Sequence, residues 1–270
     1  MKKLYFLLIL MVANLGYAQI EDAWVYFNDK PSAATFLANP LTMLTQRSLD
    51  RRTAQNILLD ITDVPVEQAY ITQITAATGI TVMAKSKWLN ALHIRGAQTD
   101  IQALTGLPFV NSVKFANHSL NPGGRIAQNS NKIQSVNKQY EIEVVYNYGG
   151  SQNQIEMLNG HLLHQQNFTG QGKIIAVLDS GFTGVNTAAP FQNLITNNQI
   201  LDGYNFPDRN TNYFSRHNHG TNVLSTMGGF ADGQLVGTAP SAQYYLFITE
   251  DVNSENPVEE SYWVEGAELA

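Results

Sequence analysis

None of the 270 residues is a cysteine. That excludes disulfides, a cysteine nucleophile and any cysteine-based metal site, so stability must come from packing or from a bound ion. Cations are also scarce: 16 Lys and Arg stand against 22 Asp and Glu, a formal net charge of −6. So acidic a chain is a poor partner for nucleic acid, and none is expected. The 20 glycines and 9 prolines are too few for a low-complexity or collagen-like polymer. Long apolar runs are missing too, since Leu4 to Val12 falls short of the roughly 20 residues a spanning helix requires. No stable membrane anchor is expected. With 44% hydrophobic residues, the chain can fill the core of one large domain or two modest ones.

The amino terminus has Lys2 and Lys3, then that short apolar run, then Gly16-Tyr17-Ala18 with small residues where a signal peptidase reads them. Residues 1–18 are expected to be a signal peptide cleaved after Ala18, and the product to be secreted. Its removal takes two lysines and no acid, leaving the remainder more acidic.

Residues 23–27, Ala-Trp-Val-Tyr-Phe, read as a first strand closed by a turn at Asn28 to Pro31. Leu41 to Ile57 has helical periodicity with a solvated basic face of Arg47, Arg51 and Arg52. Asp63-Val64-Pro65 has the form of a helix start, with the helix running to about Thr78 before Gly79. Ile80 to Ala84 and Trp88 to Ile94 read as strands around a turn at Lys85 to Lys87, Thr99 to Thr105 as a short helix, and Val110 to Phe115 as a strand. Strand, helices, strand, strand, helix, strand describes a small α+β domain of the split βαβ, ferredoxin-like kind over residues 19–118. Residues 119–151, rich in Asn, Ser, Gly and Gln for most of their length, are expected to be a polar linker.

In residues 152–270, Gln154 to Gln165 has helical spacing, and Gly170-Gln171-Gly172 feeds the apolar run Lys173 to Leu178, which ends in Asp179-Ser180-Gly181. Such a run suits a strand buried on both faces that delivers Asp179 at its carboxyl end. Ile200 to Phe206 reads as another strand, His219 to Met227 as a helix stopped by Gly228-Gly229, Gly237 to Pro240 as a turn into a strand at Gln243 to Ile248, and Trp263 to Ala270 as helical. In open parallel sheets, reactive groups collect beyond the carboxyl ends of the strands. A histidine acting as general base needs one tautomer and one orientation, which a buried carboxylate at its other nitrogen provides. Asp179 can serve His219 in this way, although Asp-Ser-Gly is also a common turn and a lone histidine at a helix start is often a cap or a satisfied core group.

Four pieces in order carry a resemblance: Gly170-Gln171-Gly172 leading to Ile174-Ile175-Ala176-Val177-Leu178-Asp179-Ser180-Gly181; His219-Gly220-Thr221 followed by Val223; Gly237-Thr238-Ala239-Pro240; and the strand after it. The chain resembles the subtilisin-like serine peptidases, the subtilase family. The resemblance spans residues 152–270 and implies the amino-terminal part of an α/β peptidase domain, an incomplete parallel sheet with helices on both faces. It also implies that Asp179 and His219 are two members of an Asp-His-Ser triad, that the product is a secreted serine endopeptidase acting on protein or peptide substrates through an acyl-enzyme, and that residues 19–118 are a propeptide that binds its own catalytic domain. An accessory domain that stays attached is the alternative for that segment.

The pattern departs from the family in one respect. Ser225, Ser241, Ser254 and Ser261 follow His219, but none lies in a Gly-Thr-Ser segment, and Asn222 is not in the position of the family's oxyanion asparagine. The nucleophile is therefore expected beyond Ala270, the 270 residues being a fragment that is inactive alone. A non-catalytic secreted protein whose front domain binds or inhibits a related peptidase is the alternative function. No cofactor is required by this chemistry. Structural calcium, common in the family, is left open because no acidic loop is spaced specifically enough to name ligands. His217 reads as a loop residue, with a metal role beside Asp202 or Asp208 left open.

Overall fold

A computed structural model describes residues 19–121, 145–253 and 256–270. The expected signal peptide and most of the expected linker lie outside the described residues. The chain divides into two compact units, residues 1–122 and 123–270.

The first unit contains strands β1 (Ile20–Phe27), β2 (Ile80–Ser86), β3 (Ala91–Ala97) and β4 (Val110–Phe115) in the order β2-β3-β1-β4, every neighbouring pair antiparallel. Helices α1 (Ala33–Ala38), α2 (Gln46–Gln55) and α3 (Gln68–Thr75) lie in the chain between β1 and β2, and α4 (Gln98–Ala103) joins β3 to β4. With β3 inserted between β1 and β2, this is the split βαβ arrangement. Alternation along β1 sends Ala23, Val25 and Phe27 to a core shared with Leu92 and Ile94 of β3, Ile74 of α3 and Ile101 of α4.

Local pattern misleads at Asp63. The helix there begins only at Gln68, because Asp63 is buried and its carboxylate receives Arg52 of α2 and the N–H of Asp60 (3.1 Å). Arg52 is thus an ion-pair partner and not part of a freely solvated basic face. Lys30 ties the same segment down, its Nζ donating to the carbonyls of Ile61 (2.7 Å), Val64 (2.5 Å) and Lys87 (2.6 Å). The turn between β2 and β3 falls at residues 87–90, later than expected, with Asn90 in the left-handed region (φ 49°).

The second unit opens with α5 (Gln152–Met157) and α6 (Gly160–Gln165). The single helix expected there is broken at Asn159, whose φ of 56° is incompatible with helix continuation. Within residues 145–151, assigned above to the linker, Tyr146, Tyr148 and Ser151 are packed into this unit. Tyr148 is buried with Ile155 and Val236, and Ser151 Oγ donates to the carbonyl of Tyr148 (2.9 Å) and accepts the N–H of Val236 (3.0 Å). Strands β5 (Ile174–Asp179), β6 (Ile200–Asn205) and β9 (Gln243–Ile248) form a parallel sheet in the order β5-β9-β6. Helix α7 (Gln192–Thr196) precedes β6, α8 (His219–Gly228) follows it, a two-stranded ribbon β7 (Phe230–Ala231) and β8 (Leu235–Val236) leads to β9, and α9 (Glu259–Leu269) closes the unit.

Among the described strands β9 is central, and every second residue of it from Tyr244 is fully buried. β5 stands at an edge and is only half-buried over much of its length, unlike the doubly buried strand expected. Its two faces are nonetheless both in contact with helices. Val177 shares a core with Leu224 of α8, while Leu178, pointing the other way, meets α9 at Gly266. The α/β class with helices on both faces of a parallel sheet is as expected. Among the described residues, no helix is long and apolar enough to cross a membrane.

Replacing Lys30 by Met should leave three buried-side carbonyls without this donor and lower stability by about 2–4 kcal/mol. The check is urea denaturation of the full chain followed through the first unit's aromatic signals, where an unchanged midpoint would show the carbonyls finding other donors.

Candidate active site

Asp179 is the last residue of β5, and its side chain is almost wholly buried. Its Oδ1 accepts the N–H (2.7 Å) and the hydroxyl (3.1 Å) of Ser180, so the carboxylate is anchored before any partner reaches it. His219 is the first residue of α8, and its Nδ1 lies 2.9 Å from Oδ1 and 3.0 Å from Oδ2 of Asp179. With an ionised carboxylate, Nδ1–H donates and Nε2 is left as the basic nitrogen. The imidazole is 61% exposed, so that nitrogen is open to solvent. The hydrogen bond to Asp179, then the charge of Asp179, raise the His219 pKa above the ordinary imidazole value, and Glu250 adds to this against a small loss of hydration.

The pair meets because two glycines let backbone approach backbone. A Cβ on Gly220 would lie 2.6 Å from the Gly181 carbonyl oxygen, 2.7 Å from the Phe182 ring and 2.9 Å from Asp179 Cβ. Helix α8 therefore rests directly on the end of β5. A Cβ on Gly181, whose φ is 153°, would lie 2.3 Å from the His217 carbonyl oxygen and 2.6 Å from that of Ser215. Gly181 serves less to turn the chain than to let it run as an antiparallel bridge beside Arg216. Thr221 Oγ1 donates to the Thr183 carbonyl (2.8 Å) and fixes the start of α8.

The far end of α8 is held by the Gly-Thr-Ala-Pro segment. The N–H groups of Gly237, Thr238 and Ala239 donate to the carbonyls of Gly229 (2.8 Å), Thr226 (2.9 Å) and Met227 (2.7 Å). Gly237 has no room for a side chain, since a Cβ would lie 2.4 Å from the Met227 carbonyl oxygen. His164, which no local motif marks, is buried between the Tyr148 hydroxyl (2.8 Å from Nδ1) and the Thr238 carbonyl (3.0 Å from Nε2). Both of its nitrogens are used in holding that segment, so it is a structural group.

His217 lies in the loop as expected, and its Nδ1 accepts the N–H of His219 (3.2 Å). Asp208 is engaged by Arg216, and Asp202 accepts the N–H of Gly203 (2.8 Å). Among the described residues no group of three or more His, Asp or Glu side chains is placed to hold a metal ion. Of the serines after His219, Ser225 Oγ donates within its own helix to Asn222 (2.6 Å), Ser261 is buried in α9, and Ser254 lies outside the described residues. Among the described residues no hydroxyl is hydrogen-bonded to His219 Nε2. An open cavity of about 560 Å³ at the carboxyl end of β9 is lined by Thr249, Asp251, Glu259 and Trp263 among others, and carries no basic side chain in its wall.

Comparison with known proteins agrees with the front half of this description. Residues 22–137 match the family described as "Peptidase S8 propeptide domain, Bacteroidota". That match covers most of the first unit, which is therefore similar to the propeptide domain of the peptidase S8 proteins. The match runs beyond the boundary at 118 expected from composition. Among solved structures the chain is similar to a mutant of the epidermin leader peptide processing serine protease (EpiP) from Staphylococcus aureus, at 11% identity and a TM-score of 0.46, with 92% of this chain and 48% of that one covered. The chain thus spans about half the length of that protease. No curated protein matches it.

Gly220→Ala should force α8 away from Asp179, cost about 1–3 kcal/mol by overpacking, and lower the His219 pKa toward its ordinary value as the hydrogen bond lengthens. Proton NMR titration of the imidazole in the folded variant reads this directly. An unchanged titration would mean that the helix is not seated by this contact. Because the folded-state pKa is raised, the pair stabilises the fold at pH below the ordinary imidazole range, and this contribution is lost as pH rises through the raised value.

Proposed function

We propose that this chain belongs to a secreted serine endopeptidase precursor in which Asp179 orients His219 and His219 acts as general base and then general acid. The observation that carries the reading is the anchored, buried carboxylate on Nδ1 of an imidazole whose other nitrogen is open. In this reading Nε2 takes the proton from a serine hydroxyl as its oxygen attacks the substrate carbonyl, and returns it to the departing amine. The imidazolium formed in between is stabilised by Asp179. Water then repeats the sequence on the acyl-enzyme, with His219 again accepting and returning the proton. Among the described residues no hydroxyl is hydrogen-bonded to Nε2, and this reading places the nucleophile outside the described residues. The propeptide-type domain supports a precursor whose first unit binds its own peptidase domain, with protein or peptide substrates as the eventual partners. Export by residues 1–18 rests on their composition alone.

The test is hydrolysis of a fluorogenic peptide library by the full-length, processed protein. Asp179→Asn should lower kcat on the order of 10⁴-fold and His219→Ala at least as much, as in triads of this kind. Undiminished turnover in either variant would overturn the assignment. Activity should rise with pH as His219 loses its proton, with an acidic limb above the ordinary imidazole value because Asp179 favours the imidazolium. In whatever activity Asp179→Asn retains, that limb should move to lower pH. A second reading, a non-catalytic binder, is favoured by the propeptide match alone. It predicts a full chain that hydrolyses nothing yet slows a related peptidase in proportion to its concentration.

A further inference from the structure

Residues 206–218, between β6 and α8, contain no helix or regular strand, yet this loop delivers His219 to within hydrogen-bond distance of both oxygens of a carboxylate. The means is concentrated at Arg216. Its backbone adopts a left-handed conformation (φ 60°), unusual for a residue with a long side chain and sustained only where the surroundings fix it. The turn faces the Arg216 carbonyl to Thr183, whose Oγ1 donates to it (2.7 Å), and forms the bridge with Gly181. The guanidinium meanwhile grips Asp208 with two parallel bonds, Nε to Oδ2 (2.9 Å) and Nη2 to Oδ1 (2.7 Å), and reaches Asp251 with Nη1 (3.2 Å). Asp208 is itself tied to the end of β6, accepting from Asn205 Nδ2 (2.9 Å) and donating its N–H to Asn205 Oδ1 (3.0 Å).

One residue thus fastens the segments that follow all three parallel strands: 180–184 after β5, 206–218 after β6, and 249–253 after β9. Asp179 and His219 sit on the first two of these. Planar, bidentate pairing is specific to arginine, because an ammonium presents a point charge without the two-pronged geometry. We infer that Arg216 is a positioning residue for the Asp179–His219 pair, holding the loop so that the imidazole stays at the carboxylate. The inference builds on the reading proposed above for the site, but its central measurement does not require turnover.

The charged and titratable groups around His219 give the test its sign. Asp179 and Glu250 favour the imidazolium and His217 lies two residues away, while any charge effect of the Arg216 cation would oppose protonation. If Arg216 acted through charge alone, removing it would raise the His219 pKa. If it positions the ring, the loosened loop weakens the bond to Asp179 and the pKa falls. Imidazole NMR titration of the full chain should therefore show a fall of half a unit or more in Arg216→Gln, with a smaller fall in Arg216→Lys. Asp208→Asn, which leaves the arginine in place, should also lower it and serves if the arginine variants do not fold. In the processed enzyme, Arg216→Gln should reduce kcat at least tenfold with KM changed less than threefold. A His219 pKa that rises or stays constant in folded Arg216→Gln and Asp208→Asn would overturn the inference, whatever the activity. Wild-type protein without peptidase activity would instead overturn the proposed function, and the titration would still decide the role of Arg216.

Discussion

A carboxylate can orient a neighbouring imidazole only if it is itself immobile, and the second unit depends on how that is arranged at the end of β5. Burial of Asp179 removes most of its water, which would be costly for a charge if nothing replaced the lost hydrogen bonds. The N–H and hydroxyl of Ser180 and the imidazole N–H replace them. The first two come from the very next residue and are set by the backbone leaving the strand. Only the third has to travel, and much of the local architecture concerns the route by which it arrives.

That route is paved by absent side chains. Gly220 brings the helix onto the strand end, Gly181 brings the loop 215–217 alongside, and Gly237 lets a chain segment close on the last carbonyls of the same helix. Each contact is backbone against backbone at a separation that a methyl group would prevent. Such contacts are stiffer than packed side chains because they have no rotamers to explore. The helix that carries His219 is thus held at its first turn by Thr221 and the two glycines, and at its last by Gly237 to Ala239, whose position is in turn secured by buried His164.

Part of this was legible in the chain itself, and the division has a physical basis. Strands β4, β5 and β9 are short apolar or β-branched runs with clear stops, and their limits follow from local chemistry. Asp179, His219, Gly220 and Thr221 were legible because the chemistry packs them into two short motifs. The Arg52–Asp63 pair, the Lys30 cluster and the Arg216 clamp were not, since each joins residues separated by loops whose path only the folded topology determines. Asp63 illustrates the failure well: Asp followed two residues on by Pro has every local mark of a helix start, but the half-buried Arg52 makes a better partner for the buried carboxylate than a free helix N–H. The break at Asn159 was missed for a related reason, since apolar spacing alone continues straight through it.

The exposure of His219 beside a buried Asp179 also bears on how the pair would work. In the free protein Asp179 and Glu250 both favour the imidazolium, which makes the ring a stronger base but one that gives up its proton less readily. A general base is most effective when its pKa lies close to the working pH. A peptide covering the open edge of the ring would strip its water and disfavour the charged form, moving the pKa back toward the ordinary imidazole value, while the bond to Asp179 would strengthen as solvent is excluded. The two effects oppose one another in pKa but act together on geometry. On the proposed reading, a dyad open on one side and anchored on the other would be brought to its working state by the substrate that covers it, with the anchored side already in place.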